Sequence, residues 1–413
     1  MHHPPLWLLV LWGFWIIQAI LSIVVVRKFA KRLARPRRHK YDHYRPRAFV
    51  IVPFKGIELD LAGCIRSFCH QDYPDYRLVF VVESEQDPAY EHLAKELQRH
   101  PNVESEIVIA GIAPPNHGQK VHNQFAAIQR IESESEDQDA WVFADSDAVP
   151  GRRWLADMIG PLIKWKRRGA TTGYRWLVPT ADEHDTIWSS FASVLNASAA
   201  CFMGRRRFTY AWGGSMALLA GTARRGDLPR RLHGALTDDY TVTKMCEDLK
   251  LHIVFVPKCL VPTPTEMRLP NLVNFAHRQY LITRVYEPKL YNTTLLITSL
   301  FLTGFVSAVG FILYSFICGP SGHNWWVPTI VCAFVFAANQ IRSSYRSTVV
   351  RLAFDQETND RLQTAMFIDR WLTPVWMFLH WLFLLRAGIT RTMNWRGIRY
   401  RLHAPNRVQE LAR

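Results

Sequence analysis

The stretch that decides the fold is residues 141–150, which read WVFADSDAVP. A short apolar run that ends at a sharp polar break is typical of a buried parallel strand. Open α/β sheets bind ligands at the carboxyl ends of such strands, and this one leads into Asp145 and Asp147. Carboxylates two residues apart on an extended chain point the same way. The pattern predicts a site for Mg²⁺ or Mn²⁺, although a solvated turn is the alternative.

Short apolar runs alternate with helical patterns on both sides of this stretch. Strands are predicted over 49–53, 78–82, 107–110, 171–176, 212–218 and 253–257, and helices over 58–70, 88–98, 120–132 and 151–168. A further helix is expected to start at Asp238, with Thr237 as its cap. This alternation predicts an α/β fold with a doubly wound, mostly parallel sheet.

Composition narrows the functional class. The chain has 413 residues, is 49% hydrophobic and carries a formal net charge of +15. In a soluble protein, such a charge suggests that the protein binds nucleic acid, but here the basic residues cluster beside apolar runs. We therefore expect a membrane surface and no nucleic acid. The seven cysteines form no Cys-x-x-Cys pair, which favours reduced thiols on the cytoplasmic side.

Several apolar runs predict membrane segments. Residues 6–26 carry no charge, and the basic residues of 27–47 follow them, so the N-terminus is expected outside and the rest cytoplasmic. A signal peptide is the alternative, but it needs basic residues before the apolar run. Residues 293–318 and 325–341 are two more predicted spans.

The last apolar run, residues 371–385, is short for a span, because a helix of this length covers about 22 Å of a ~30 Å hydrocarbon core. Pro374 and His380 interrupt it. We expect a re-entrant or interfacial segment that returns residues 395–401 to the cytoplasmic face. There the arginines of this motif could meet lipid phosphates or a nucleotide site.

Acidic residues recur in a fixed order: 83–87, then Asp145 and Asp147, then Asp238 and Asp239. Taken alone, the last pair would only compensate a helix dipole. The order is accompanied by VPFKG at 52–56, QDYPDY at 71–76, GGSM at 213–216 and WRGIRYR at 395–401. Together these motifs resemble the inverting glycosyltransferases of family 2, which have the GT-A fold, and more closely the ceramide glucosyltransferases and their bacterial relatives.

The resemblance implies roles for matching residues. Asp239 would be the general base, with Asp238 as the alternative, and Asp145 and Asp147 would hold a divalent cation on the donor's diphosphate. The residues expected to bind the UDP-sugar are Pro53, Lys55, Glu83, Glu85, Lys120, Asp145 and Arg278. Those expected to border the acceptor are Arg175, Trp176, Gly214 and Ser215.

The chain departs from the family pattern at two places. Ser84 stands at the usual aspartate, which leaves Glu83 or Glu85 for the nucleotide. Leu281 and Ile282 replace an Arg-Trp pair, which leaves open whether Arg278 or Arg284 meets the diphosphate. For Lys120, a surface lysine is the simpler interpretation from sequence.

The predicted parts are a transmembrane helix (1–27), a basic cytoplasmic linker (28–48), a GT-A domain (49–268), an amphipathic interfacial helix (269–290), two transmembrane helices (291–341), a cytoplasmic segment (342–370), and a membrane-associated segment with a basic tail (371–413). The predicted function is transfer of a hexose, with glucose as the expected sugar, from a UDP-sugar to a lipid hydroxyl such as that of ceramide. The expected location is the cytoplasmic face of a bacterial inner membrane. A processive polysaccharide synthase and an inactive membrane scaffold are the alternatives. The missing Arg-Trp pair disfavours the first, and the aspartates disfavour the second.

Overall fold

A seven-stranded sheet carries the candidate site. The computed structural model describes residues 3–36, 41–180, 186–204, 209–319 and 324–413, so residues 37–40 of the predicted linker lie outside it. The chain divides into a helical unit (Met1–Arg35, Ala181–Cys201 and Met267–Thr390) and a sheet unit (Pro36–Thr180, Phe202–Glu266 and Arg391–Arg413).

The strands of the main sheet are β1 (Ala48–Pro53), β2 (Tyr76–Val82), β3 (Ser105–Ile109), β4 (Ala140–Ala144), β5 (Arg168–Pro179), β6 (Ser215–Leu219) and β7 (His252–Thr265). Their order is β3-β2-β1-β4-β6-β5-β7. Within the described ranges, β6 alone runs against the others, because it pairs antiparallel with both β4 and β5. The remaining pairs are parallel.

Continuous apolar strands arise because both faces of the sheet are covered. In β1, Val50 and Val52 pack into one hydrophobic core, whereas Phe49 and Ile51 pack into another on the opposite face. The helices of this unit are α2 (Leu61–Cys69), α3 (Pro88–Leu97), α4 (Gln119–Ile131), α5 (Trp154–Ile159), α7 (Ala220–Arg225), α8 (Leu228–Leu232) and α9 (Asp238–Asp248), with 3₁₀ turns at Glu132–Glu134 and Gly160–Lys164. The predicted α/β class with a mostly parallel, doubly wound sheet is confirmed.

Three predicted elements have different bounds. The helix expected over 151–168 is α only over Trp154–Ile159 and tightens to a 3₁₀ helix at Gly160–Lys164, where Pro161 cannot donate to the ladder. The strand expected over 253–257 runs on to Thr265, because it pairs with β5 along almost the whole length of that strand. The strand expected from 212 begins only at Ser215.

A second, antiparallel sheet closes the chain. It consists of β8 (Thr392–Trp395), β9 (Ile398–Ala404) and β10 (Arg407–Ala412), in the order β10-β9-β8. Along β9, Ile398, Tyr400 and Leu402 are buried while Arg399 and Arg401 are exposed. This period of two is typical of a half-buried strand, and the sequence analysis, which predicted only a basic tail here, assigned no strands to it.

The helical unit contains α1 (Leu6–Leu33), α6 (Thr186–Ala200), α10 (Leu269–Tyr286), α11 (Pro288–Ile317), α12 (Trp326–Ala353), α13 (Gln356–Arg361), α14 (Gln363–Trp371) and α15 (Thr373–Ile389). Of the described helices, α1 and α11 are long and apolar enough to cross a membrane. They pack closely, since a Cβ at Gly304 would overlap the ring of Trp15 and the indole of Trp12 donates to Ser307 Oγ at 3.0 Å.

The span predicted over 325–341 falls on helix α12 and stays a prediction. Asn339, Gln340 and Arg342 interrupt the apolar stretch of this helix, which by length and composition is not among the candidate spans of the described residues. Helices α14 and α15 instead form a pair bent by 92°, which is either one broken span or a re-entrant loop.

A buried ion cluster lies beside this bend. Arg342 Nη1 and Arg346 Nη1 are 2.8 and 2.5 Å from Asp369 Oδ1. Arg342 also donates to the Asp369 carbonyl at 3.1 Å, and its guanidinium lies 5.4 Å from the centre of the Trp376 ring. Because Asp369 lies in the last turn of α14 and Trp376 in the first turn of α15, this cluster connects α12 to both helices of the bent pair.

Candidate active site

The acidic stretch that ends β4 forms a turn. The strand stops at Ala144, and the Asp145 carbonyl accepts a hydrogen bond from Ala148 N at 3.2 Å. The extended geometry assumed from the sequence for Asp145 and Asp147 is therefore wrong. The two carboxylates are still close enough for Asp145 to raise the pKa of Asp147.

Lys120 lies between two carboxylates from distant parts of the chain. Its Nζ is 2.7 Å from Asp145 Oδ1 and 3.2 Å from Asp238 Oδ1. Burial lowers the pKa of Lys120, but the charges of Asp145 and Asp238 outweigh this effect and raise it overall. The interpretation of Lys120 as a surface lysine is thus wrong, and this cation joins α4, the end of β4 and the start of α9.

Two glycines allow these carboxylates to approach. A Cβ at Gly213 would overlap the carboxylate of Asp238, and a Cβ at Gly214 would overlap that of Asp145 and the Trp212 ring. Gly214, predicted from sequence to border the acceptor, lies directly behind Asp145. The glycine pair is therefore required by the packing of the acidic cluster itself.

The two aspartates that begin α9 have different environments. Asp238 is only 1% exposed, and its Oδ2 accepts from Gln124 Nε2 at 2.6 Å in addition to the contact with Lys120. Asp239 is partly exposed, and its Oδ1 accepts from Thr237 Oγ1 and, at 2.6 Å, from Tyr240 N. Thr237 is at the cap position, but its hydroxyl binds Asp239 and makes no cap to the backbone. Asp238 is engaged in the interior, which leaves Asp239 as the carboxylate that a substrate can reach.

The pKa of Asp239 is raised to about 6. Burial is the main cause, and the negative charge of Asp238 adds to it. The hydrogen bond from Thr237 and the charge of Lys120 act in the opposite direction. A carboxylate that titrates near neutral pH suits a general base.

Asp147 has the properties of a cation ligand. Its Oδ1 is buried and, within the described ranges, has no hydrogen-bond partner. Burial raises its pKa to about 6, with the charges of Asp145 and Glu58 as further causes. No group of three or more His, Cys, Asp or Glu side chains that could hold a metal occurs among the described residues. Two carboxylates fit a Mg²⁺ or Mn²⁺ ion that takes its remaining ligands from phosphates and water.

A buried carboxylate that the sequence analysis missed lies beside Asp147. Glu58 Oε1 accepts from Ser146 Oγ and from Arg396 Nη2, both at 2.5 Å. Glu58 comes from the loop after β1, and Arg396 from the turn between β8 and β9. Only the resemblance of residues 395–401 to the family motif pointed to this region, because a contact across 338 residues has no local sequence pattern.

The predicted nucleotide-side residues lie at the ends of β1 and β2. Pro53 is the last, buried residue of β1. Lys55 Nζ is 2.5 Å from Glu83 Oε1, whereas the side chain of Glu85 is exposed. Asp87, absent from the predicted site, caps α3 and accepts from Gly56 N at 2.9 Å. The structure thus fixes Glu83, rather than Glu85, at this edge.

Two predicted acceptor residues require correction. Trp176 is fully buried, and so is Ser215, whose hydroxyl accepts from Trp154 Nε1 at 2.7 Å. Neither can touch a substrate. Arg175 is half-buried, lies 5.8 Å from the centre of the Trp212 ring, and lowers the pKa of Asp147 by its charge.

Arg278 and Arg284 both belong to the helical unit. The Arg278 guanidinium lies 5.8 Å from the centre of the Phe275 ring on the same helix. Arg284 Nη1 donates to the carbonyls of Ala387 and Thr390, at 2.7 and 3.0 Å. Arg284 therefore caps the C-terminus of α15, which is a structural role.

The mostly parallel sheet with one reversed strand and carboxylates at its carboxyl edge defines a GT-A glycosyltransferase fold. The solved structure of the mannosyltransferase PcManGT from Pyrobaculum calidifontis, in complex with GDP-Man and Mn²⁺, matches over 89% of this chain and 99% of that chain. The TM-score is 0.50 and the identity 16%, so the likeness is one of fold.

The family follows from the sequence match. The model of glycosyl transferase family 21 matches residues 10–408, and the chain belongs to this family. A ceramide glucosyltransferase of Komagataella phaffii is 28% identical over 93 residues, and one of Gibberella zeae is 25% identical over 185 residues. These matches cover 22% and 41% of this chain, but only 18% and 34% of the relatives' own length. The predicted resemblance to GT-A glycosyltransferases close to the ceramide glucosyltransferases is confirmed.

Proposed function

We propose that the protein transfers a hexose from a UDP-sugar to the hydroxyl of a membrane lipid such as ceramide, with inversion at the anomeric carbon. Glucose is the hexose that we expect. The observation that carries this proposal is the pairing of a partly exposed carboxylate, Asp239, with the Lys120–Asp145–Asp238 cluster at one edge of the sheet. Membership of family 21 and the likeness to ceramide glucosyltransferases support the same reaction class.

In this reaction Asp239 accepts the proton of the acceptor hydroxyl, while the oxygen of that hydroxyl attacks the anomeric carbon and UDP leaves. The hydrogen bonds from Thr237 and Tyr240 hold Oδ1, and the hydroxyl would meet Oδ2. A direct displacement by one nucleophile inverts the anomeric centre. Because only the ionised form is a base, turnover should rise with pH through the pKa of about 6.

The leaving diphosphate needs positive charge near Asp145 and Asp147. A divalent cation, held by these two carboxylates, would neutralise it and remove the need for an acid. Lys120 forms ion pairs with Asp145 and Asp238 and so places a positive charge between the two carboxylates. Lys55 and Glu83 would border the nucleotide at the neighbouring strand ends.

A membrane location fits a lipid acceptor. Helices α1 and α11 supply two candidate spans, and Lys31 and Arg32 lie in the last turn of α1. Basic residues that flank a membrane span lie mostly on the cytoplasmic side, so we assign the sheet unit to the cytoplasmic face. The membrane that we propose is a bacterial inner membrane. An acceptor that stays in the bilayer surface would then meet the catalytic base without leaving the lipid.

The test is an assay with full-length protein in nanodiscs. UDP-glucose, UDP-galactose and GDP-mannose are each supplied with Mn²⁺ and either ceramide or a total lipid extract, and products are identified by mass spectrometry. We expect a hexosylated lipid with UDP-glucose, retained in Asp248→Asn, an exposed carboxylate later on α9, and lost in Asp239→Asn. A hexosylated lipid formed only from GDP-mannose would refute the donor, and the absence of any glycolipid product would refute the lipid transferase.

A further inference from the structure

The turn between β8 and β9 holds an arginine in an unfavourable backbone conformation. Arg396 has φ +51° and Gly397 has φ +80°, and the flanking residues Trp395 and Ile398 pair with each other. A two-residue hairpin turn with positive φ at both positions favours Asn-Gly or Gly-Gly. Arginine at the first position is therefore held in a strained backbone conformation. Strained backbone conformations are concentrated at functional sites, which makes the side chain of Arg396 a candidate for a role there.

The side chain of Arg396 reaches the acidic cluster. Its Nη2 pairs with Glu58 Oε1, which Ser146 also binds, and Ser146 is the residue between Asp145 and Asp147. The arginine is therefore linked through Glu58 and Ser146 to the two residues of the predicted cation site.

Arg396 is also open to a ligand. Its side chain is 40% exposed, whereas that of Glu58 is only 8% exposed. Among the residues that the structure describes, Arg396 donates to Glu58 through Nη2, so Nη1 and Nε remain available to donate to a ligand. A guanidinium with free N–H groups, fixed by a carboxylate behind it, is well suited to a phosphate.

The C-terminal sheet is held firmly enough to position this group. Tyr400 Oη accepts from Gln119 N at 3.2 Å, and Glu410 N donates to the Pro115 carbonyl at 2.6 Å. At the end of the chain, Arg413 lies 3.2 Å from Glu83 Oε2 and donates to Gln119 Oε1 at 2.8 Å. These contacts fix the sheet to α4, the loop before it and the end of β2, so the β8–β9 turn is not a loose tail.

We propose that Arg396 binds the diphosphate of the nucleotide-sugar donor, with Glu58 and Ser146 as positioning residues. This inference rests on the proposed function and assigns a cation for the donor phosphates within the sheet unit, at the position that Arg278 and Arg284 were expected to fill. The C-terminal sheet then completes the donor site, which a chain ending before residue 391 would lack.

The test uses the full-length protein with Mn²⁺ and isothermal titration of UDP and UMP. Arg396→Asn places a favoured residue at the positive φ, so the turn is retained while the guanidinium is removed. We expect UDP to bind about 10- to 100-fold more weakly, the usual loss for a hydrogen bond to a charged group, and UMP affinity to change little. Arg399→Asn, an exposed arginine of the same sheet, should change neither.

Further variants separate contact from support. Arg396→Lys should recover part of the UDP affinity, because it restores the charge without the planar fork. Arg396→Asn combined with Glu58→Gln removes the unpaired buried carboxylate, and UDP affinity should stay low. Recovery of UDP affinity in this double variant would overturn the inference, because Arg396 would then only neutralise Glu58.

Two outcomes separate this inference from the proposed function. Equal UDP affinity in wild type and Arg396→Asn would overturn the inference alone. A wild-type protein that binds neither UDP nor UMP, with or without Mn²⁺, would overturn the proposed function and this inference with it.

Discussion

Replacing the proposed base should stabilise the protein while it abolishes turnover. Burial and the neighbouring Asp238 raise the pKa of Asp239 to about 6, from an ordinary value of 3.8. At 1.36 kcal/mol per pH unit, keeping this carboxylate ionised at pH 8 costs the folded state at most about 3 kcal/mol. Because the side chain is partly exposed, we expect about 2 kcal/mol. Asp239→Asn removes the charge and keeps an oxygen that can accept from Thr237 and Tyr240.

The sign of the pH dependence follows from the raised pKa. A carboxyl with a raised pKa favours the folded state below its ordinary value, and this contribution is lost as the pH rises through about 6. The stabilisation by Asp239→Asn should therefore be largest at pH 8, about half as large at pH 5, and about a fifth as large at pH 4.

Thermal unfolding in detergent measures this effect. A gain of about 2 kcal/mol corresponds to a rise in Tm of roughly 4–8 °C at pH 8 for a domain of this size. Asp248→Asn is the control, since the partner Arg231 lowers the pKa of that exposed carboxyl, and its removal should not stabilise the fold at pH 8. The same Tm difference between Asp239→Asn and wild type at pH 5 and pH 8 would refute the reasoning.

Three further substitutions test the buried charges. Lys120→Met leaves Asp238 without its cation and should cost about 3–5 kcal/mol in thermal or urea unfolding, and a cost below about 1 kcal/mol would contradict the described ion pairs. Asp147→Ala should abolish the Mn²⁺-dependent part of UDP binding in calorimetry, and undiminished binding would remove the cation from this position. Asp369→Asn leaves Arg342 and Arg346 buried without a counter-charge and should destabilise the helical unit by about 3–5 kcal/mol, whereas the exposed Asp360→Asn should have little effect on Tm.

The strand framework could be predicted because its signals are local. The apolar run that ends at Asp145 forms β4, and the runs near 50 and 80 form β1 and β2 next to it. Each of these strands is buried on both faces, so β1 and β4 are apolar throughout and β2 is apolar from Leu78 to Val82. The order of the acidic strand ends followed from the same pattern.

The contacts within the site could not be predicted, because they join distant parts of the chain. From sequence, Lys120 is interpreted as a surface lysine in the first turn of an amphipathic helix. Its ion pairs with Asp145 and Asp238 form only in the folded chain, because these residues are far apart in sequence. Trp176 is expected from sequence to border the acceptor but fills the core. Arg396 depends on a two-residue turn whose strained conformation no local preference indicates.

The membrane segments show the same limit. Uncharged runs were enough to find α1 and α11. The span predicted near α12 stays a prediction, and the pairing of Arg342 and Arg346 with Asp369, which buries charged residues in the helical unit, could not be predicted from the sequence. The predicted re-entrant character of 371–385 stays a prediction, because the 92° bend of α14 and α15 fits a broken span equally well.

The measurement that tests the central claim most directly compares turnover and nucleotide binding in Asp239→Asn. The account predicts that kcat for the transfer of glucose to lipid falls by at least ~10²-fold, since the acceptor hydroxyl loses its base, while the Kd for UDP with Mn²⁺ stays within a few-fold of wild type. Near-normal kcat in this variant would contradict the assignment of Asp239, and an equal loss of UDP affinity would show that the residue supports the donor site instead.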